Sequence, residues 1–491
     1  MKKVILFFMI IVLFIILIFG VVEEDDNLVD SKSSNIVYSV YSINSDYSDI
    51  SNLSERDIDL INAVSRGLIY KDNEGNIVPD LAESYEVSED GIEYKFKLRD
   101  DIYWSDGEKI TSKDIVDFFK ELIKLEEEEN IGALINVYGV EQYKQGNISF
   151  DSNVAIIIDD DTVTFRLNSV DNNFLNELAK PQYRIRKSLP LWSSIDRYYK
   201  DIVYSGYYEI TLYEKDNIEL TPNTYYGRDR SVISLVKDDN EESAMAQFEV
   251  GNRNVVISPP TSSLNDISNK DKLITCTDNT GIYIVMNENE DMNNTSRASI
   301  YKNINQAMND FNCEEPNLLE LSEGSYFKSD KNDLNKIQER KVIINNSDEN
   351  VFNKSISICA LDNEVNQKIC KFLNKWFINN KDIEIKYDLL SEEKYNSVNV
   401  KSYDIILITN KSYDYDKEAF FESFKKYYNE AELQIYNEEK SNNDNYSNLE
   451  NNLFKNCRIR SLAYINNNIC VSSKKINITF DYYGNIDFSK L

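Results

Sequence analysis

The sequence predicts an α/β protein with mixed sheets, and three observations carry that expectation. Residues 354–411 run strand, helix, strand, strand as KSISICALD, EVNQKICKFLNKWFINN, IEIKYDLL and YDIILIT. That order is the repeating unit of an α/β sheet, with the helix as crossover between parallel strands. Residues 85–99 form a hairpin around the turn SEDG. Beyond it Ile92, Tyr94, Phe96 and Leu98 alternate with Glu93, Lys95, Lys97 and Arg99, which buries one face and leaves the other wet. Residues 111–123 open with Thr111 and Asp114 as a capping-box pair. They continue with Ile115, Phe118, Phe119, Leu122 and Ile123 at helical spacing.

In chain order, Lys2 and Lys3 precede an apolar run from Val4 to Val22, and the acidic run Glu23, Glu24, Asp25, Asp26 follows. Positive before and negative after places the N-terminus in the cytoplasm and the body outside. The run is near the minimum for spanning a bilayer, about 17–25 residues. No A-x-A-like site follows it, so residues 1–22 are expected to be an uncleaved signal anchor in preference to a cleaved signal peptide. Residues 23–35 read as a polar tether. IVYSVYSI, from Ile36, has strand composition, and Ile58, Leu60, Ile61, Val64 and Leu68 lie at helical spacing up to Gly67. A second hairpin, VAIIIDDDTVTFRLN, turns at Asp159–Asp161; these acids lack the glycine and terminal Glu of a calcium loop and read as a polar turn. Strands and loops fill 200–270, GIYIVMN is a strand, and SRASIYKNINQAMNDF is a helix. Residues 429–452 are rich in Asn, Glu and Ser and read as a solvated insertion, after which KKINITFDYYGNIDFSKL returns to strands.

Composition removes whole classes of function. The 491 residues carry 54 Lys plus Arg against 84 Asp plus Glu, a formal net of −30. Such a surface repels phosphates, so no nucleic acid partner is expected. Histidine is absent, which removes the usual general base, His-paired nucleophiles and His-ligated zinc or nickel. Six cysteines show no CxxC spacing and read as scattered buried thiols in preference to disulfides. Neither a catalytic residue, a metal site nor a cofactor is expected, and the chain is not read as an enzyme.

The stretch from Gly67 to Leu122 carries an ordered set of short motifs. They are Gly67-Leu68, Asp72 to Gly75, Pro79-Asp80-Leu81-Ala82-Glu83-Ser84, Ser88 to Gly91, Leu98-Arg99, Trp104-Ser105-Asp106-Gly107, and Thr111 with Asp114. This set closely resembles a signature block of the family 5 extracellular solute-binding proteins, the oligopeptide- and dipeptide-binding components of ABC importers. Fainter similarity continues through DDDTVTFRLNSVDNNFLNELAKP, YSGYYEITLYEKDNIELTPNTYYG (with Tyr207 where the family usually has Pro), SRASIYKNINQAMND and KSYDIILIT. Two departures stand beside it: no lipid-accepting cysteine near the apolar segment, and a C-terminal region shorter than usual.

The resemblance implies a two-lobed, periplasmic-binding-protein-like (Venus flytrap) fold with an extra small subdomain. Residues 36–70, 186–279 and 453–491 would make the first lobe, 71–185 the subdomain and 280–428 the second lobe, with 429–452 inserted. Trp104 is read as core of the subdomain. Family members hold a peptide's ammonium with an Asp after the strand matching YDIILIT, which makes Asp414 and Asp416 the ligand-binding candidates here. Tyr413 and Tyr415 would pack on the peptide, and Tyr283, in GIYIVMN, would line the cleft. The implied function is extracytoplasmic capture of peptides for ABC-type import, with permease subunits as partners and the N-terminal segment in the membrane at its outer face. The alternative is a membrane-anchored sensing or interaction protein that reuses the fold without transport.

Overall fold

A computed structural model describes residues 35–491 apart from 51–52, 227–229, 269–272, 290, 323, 330–354, 443–444 and 474–475. The expected anchor, residues 1–22, and nearly all of the tether lie outside the described residues. Among the described residues no helix is long and apolar enough to cross a membrane.

One sheet forms the backbone of the molecule. From edge to edge it runs Ile385–Leu390, Ile356–Leu361, Ile405–Lys411, Leu273–Met286, Ile459–Val471, Val255–Ile257, Ile36–Val40, Ile233–Lys237, Asn217–Pro222 and Tyr208–Glu214. Ile356–Leu361 pairs in parallel with both Ile385–Leu390 and Ile405–Lys411, as the strand-helix-strand order requires. Ile36–Val40 pairs in parallel with Ile233–Lys237, while Leu273–Met286, Ile459–Val471 and their neighbours pair antiparallel, so the sheet is mixed.

Two bodies of core hang on this sheet. The first joins Tyr38, Leu60, Val64, Tyr208, Leu220 and Ile469. It is continuous with the subdomain, whose four strands Ala82–Val87, Glu93–Leu98, Thr162–Arg166 and Ile156–Asp159 lie in the order their hairpins predict. The capped helix Ser112–Leu125 buries Ile115, Phe118, Phe119 and Leu122, with Thr111 accepting from the Asp114 amide and Asp114 answering the Thr111 amide. Trp104 is 1% exposed, as expected of a core residue. The turn after it needs Gly107 at φ +93°, where a Cβ would strike the Tyr225 hydroxyl. The second body covers both faces of the strands Ile356–Leu361, Ile405–Lys411 and the far half of Leu273–Met286. Ile304, Ile358 and Leu373 pack on one face, and Tyr283, Tyr326 and Phe420 on the other.

Two expectations change. Residues 429–452 are not a solvated insertion: Glu430–Asn442 and Ser447–Lys455 are helices that bury Tyr436, Leu449 and Leu453 against the second lobe. Their buried acids are satisfied, since Glu432 pairs with Arg458 at 3.0 Å and Glu439 accepts the Asn448 and Leu449 amides at 2.9 and 3.0 Å. Polar composition hid a helical face. The first-lobe range 453–491 also divides. Leu453, Phe454, Ile459 and Leu462 pack in the second lobe, and only from Ile469 onward does the chain enter the first core.

Candidate functional site

The two lobes are joined by the antiparallel strands Leu273–Met286 and Ile459–Val471. Each serves the first lobe with one half and the second lobe with the other. Their register breaks between Thr277 and Gly281, so Asp278, Asn279 and Thr280 bulge out at the junction. Such bulges aim side chains and let a strand bend, which is what a site between two lobes needs. Asp278 is buried and accepts from the Asn279 amide at 2.8 Å, from the Thr280 hydroxyl and from Lys411 at 3.0 Å.

Lys411 ends a second-lobe strand, and its ammonium also reaches Glu55, 2.8 Å away at the start of the first-lobe helix Glu55–Val64. One cation thus ties both lobes to the bulge, and the surrounding carboxylates hold its pKa above the usual lysine value despite its burial. Lys411→Met would leave Asp278 without its cation. Because Lys411 is partly exposed, a loss of about 1–2 kcal/mol is expected. The larger expected effect is a looser closure, read as an increased radius of gyration in small-angle scattering. Unchanged scattering and stability would remove Lys411 from the closing contact.

From Lys411 the chain enters the loop that carries four of the five predicted site residues. Tyr413 and Tyr415 stack with ring centroids 5.4 Å apart. Opposite them stands the C-terminal hairpin, whose turn DYYGN is set by Asp481. Its carboxylate accepts the Tyr483 and Asn485 amides at 2.9 Å each, and Gly484 adopts φ +84°. Burial pushes the Asp481 carboxyl up to about 6. The turn presents Tyr482 and Tyr483 to the loop. Tyr413 lies 5.6 Å from Tyr482 and 5.9 Å from Tyr483, and the Tyr482 hydroxyl donates to Asp414 at 3.2 Å. Asn279 donates to the Tyr482 carbonyl at 2.8 Å, which fixes the hairpin to the bulge.

Lys71 completes the enclosure from the first lobe, on the strand Ile69–Lys71. It is 4% exposed, and its ammonium sits 3.8 Å from the centre of the Tyr415 ring and 4.2 Å from that of Tyr482. Burial lowers its pKa to about 8, against a smaller opposing pull from Asp414. Next to it a narrow cavity of about 50 Å³ is lined by Tyr70, Lys71, Asp72, Arg184, Asp481 and Asp487 among others. That is room for one or two waters. Across this junction the two lobes meet through Lys411 with Glu55 and through Lys71 with Tyr415.

The five candidates therefore separate. Tyr413, Asp414 and Tyr415 come together at the junction, with Asp414 exposed to solvent. Asp416 lies at the same loop but caps the helix Lys417–Ser423, accepting the Ala419 amide at 3.1 Å. Tyr283 does not line the cleft. It is fully buried among Tyr326, Phe420 and Phe424, and its hydroxyl donates to the Tyr326 carbonyl at 2.7 Å. Alternation explains this: Ile282 and Ile284 face one core and Tyr283 and Val285 the other, so the strand is buried on both sides. Lys71, Tyr482 and Tyr483, which the structure also brings to this junction, were not among the candidates. DYYGN was a visible turn signal, but nothing local tells which side chains its tip presents, or to what.

The fold defined by two lobes, a bulged two-strand crossing and a facing loop and hairpin is that of the two-lobed periplasmic binding proteins. NikA of Brucella suis superposes on this chain with a TM-score of 0.67 at 15% identity, covering 93% of this chain and 99% of that one. Residues 76–310 match the family model "Bacterial extracellular solute-binding proteins, family 5 Middle". Oligopeptide-binding protein AmiA of Streptococcus pneumoniae serotype 4 is 29% identical over 217 residues, 40% of this chain and 33% of that protein. Oligopeptide-binding protein AliB of the same organism is 35% identical over 146 residues, 28% of this chain and 22% of that protein. The matched region thus spans a third or less of these two relatives' length. The match to the family 5 extracellular solute-binding model spans just under half of this chain, and residues 76–310 are similar to that family.

Proposed function

We propose that this protein captures peptides on the outer side of the cytoplasmic membrane and passes them to an ABC permease, changing no bond in them. The observation that carries this reading is the meeting of the loop 413–416 with Lys71 and the hairpin 481–485, at a junction crossed by the strands Leu273–Met286 and Ile459–Val471. A guest held there touches both lobes in the closed state alone, so its binding shifts the population toward closure. Tyrosine faces suit peptide planes, and the exposed carboxylate of Asp414 suits an ammonium through a charge-assisted hydrogen bond. The relatives' names, AmiA and AliB as oligopeptide-binding proteins, support the same ligand class. Residues 1–22 would hold the body at the membrane.

Calorimetric titration with a pool of tri- to hexapeptides tests the reading. Saturable heat is expected, and Asp414→Asn should weaken it about tenfold, the scale of one charge-assisted hydrogen bond. A flat titration with every peptide would overturn it. Peptide uptake in a strain lacking the gene then separates transport from sensing: reduced uptake supports delivery, and unchanged uptake points to the sensing role.

A further inference from the structure

Lys71 helps frame the junction but offers a peptide's ammonium no counter-charge, and its side chain is among the more enclosed cations of the molecule. It stems from the first lobe. Its ammonium lies on the ring of Tyr415, which belongs to the second lobe, and on the ring of Tyr482 at the tip of the hairpin. Those rings are held independently of it. Tyr413 stacks on Tyr415, Tyr482 meets Tyr483 edge-on at 5.5 Å, and the Tyr482 hydroxyl is tied to Asp414. The Tyr415 hydroxyl is buried with no hydrogen-bond partner among the described residues, so this ring is positioned by its faces, not its polar end. An ammonium over tyrosine faces is a favourable cation–π arrangement, stronger when water is excluded. A lysine whose charged form is disfavoured by burial gains from leaving such a place for water, so it yields readily to a competing cation.

We propose that Lys71 is a built-in occupant of the tyrosine enclosure, which holds the lobes closed in the absence of ligand and which a ligand's ammonium must displace. Because Tyr415 moves with the second lobe and Lys71 with the first, the contact exists only when the lobes are together. It favours the closed state as a ligand would, but from inside the chain. A ligand bearing a free ammonium replaces it like for like, whereas one without a cation leaves the tyrosine faces unfilled. Lys71 thereby selects amine-bearing ligands and lowers the apparent affinity for all of them. The second half of this inference rests on the peptide-capture reading; the first half does not.

Lys71→Ala in the full chain, solubilised with its N-terminal segment, tests the device without any peptide. Its radius of gyration should exceed that of the unsubstituted protein, and methylammonium chloride should restore the smaller value by refilling the enclosure. Acetamide, neutral and of similar size, should not. Tyr482→Leu, which removes a ring and leaves Lys71, should also open the molecule and resist rescue. Equal radii for Lys71→Ala and the unsubstituted protein, or equal responses to methylammonium and acetamide, would overturn the proposal. Thermal unfolding of both variants checks that each is folded, and if Lys71→Ala is not, the Tyr482→Leu scattering decides. In the peptide titration, Lys71→Ala should bind unmodified tripeptides about tenfold more tightly and their N-acetylated forms unchanged. Methylammonium rescue with no peptide heat in any variant would sink peptide capture and leave the internal occupant standing.

Discussion

Replacing Asp80 by alanine is expected to destabilise the protein by about 3–5 kcal/mol, the scale for stranding one partner of a buried ion pair. Asp80 opens the motif Asp80-Leu81-Ala82-Glu83-Ser84, and both it and Arg66 are buried, at 7% and 6% exposed. The Arg66 guanidinium donates to the Asp80 carboxylate from Nε at 2.7 Å, and its Nη2 lies 2.7 Å from the same oxygen. Nη2 also donates to the Asp80 carbonyl at 3.1 Å, and the Gly67 amide donates to the other carboxylate oxygen at 3.3 Å. Tyr207 and Tyr226 face the guanidinium at 5.1 and 4.8 Å. Without Asp80 the guanidinium keeps only its carbonyl and ring contacts, in a place water does not reach. The pair also joins the end of the first-lobe helix to the first strand of the subdomain, so its loss separates two elements rather than fraying one. Urea unfolding reads the change. The double variant Arg66→Met with Asp80→Leu should recover most of it, because replacing both charges by apolar groups removes the stranded cation. A single variant within about 1 kcal/mol of the parent would show that the pair is not what holds this motif in place.

The same motif shows what could be read without coordinates. Its turns and strands follow local rules: glycine at φ +71° in SEDG, a two-strand register, a capped helix with one apolar face. Such rules act over a few residues, and the sequence displays them. The roles of Asp80 and Arg66 were not legible, because their partnership crosses 14 positions and depends on burial. The cleft divides in the same way. Tyr413, Asp414 and Tyr415 could be named as candidates because they follow a recognisable strand, and the structure brings them together at the junction, whereas Asp416 caps a helix at the same loop. Lys71 ends the short strand Ile69–Lys71 within the stretch IYKDNEG, and Tyr482 lies 411 positions later, so only the folded chain brings them together. Tyr283 was misplaced because a strand buried on both faces offers no wet side from which to infer a cleft. In residues 429–452 the helical signal was present, with Glu432, Tyr436 and Glu439 at spacing for one face, but two buried acids disguised it as surface.

Gly206→Ala is expected to cost about 3 kcal/mol or more, the upper end for forced overpacking, since backbone must move to admit the methyl group. A Cβ at Gly206 would lie 2.2 Å from the carbonyl carbon of Val64, 2.5 Å from the Ala63 oxygen and 2.5 Å from the Ser65 nitrogen. These are main-chain atoms at the end of the helix Glu55–Val64, and none can rotate away. The closeness is used on both sides. The Gly206 amide donates to the Val64 carbonyl at 3.0 Å, capping an open helix end, and Asn223 donates to the Gly206 carbonyl at 3.0 Å. The sequence YSGYY thus needs glycine for approach, not for its own dihedral angles. The consequence reaches the cleft, because the far end of the displaced helix carries Glu55, which meets Lys411 of the second lobe. The variant should unfold roughly 5–10 °C below the parent. Where it is folded, it should share the loosened closure expected for Lys411→Met, seen as an increase in the radius of gyration. Combining the two substitutions should add little further opening, since both act on one contact. Full additivity in scattering would separate the helix position from the closing contact and leave Gly206 a matter of stability alone.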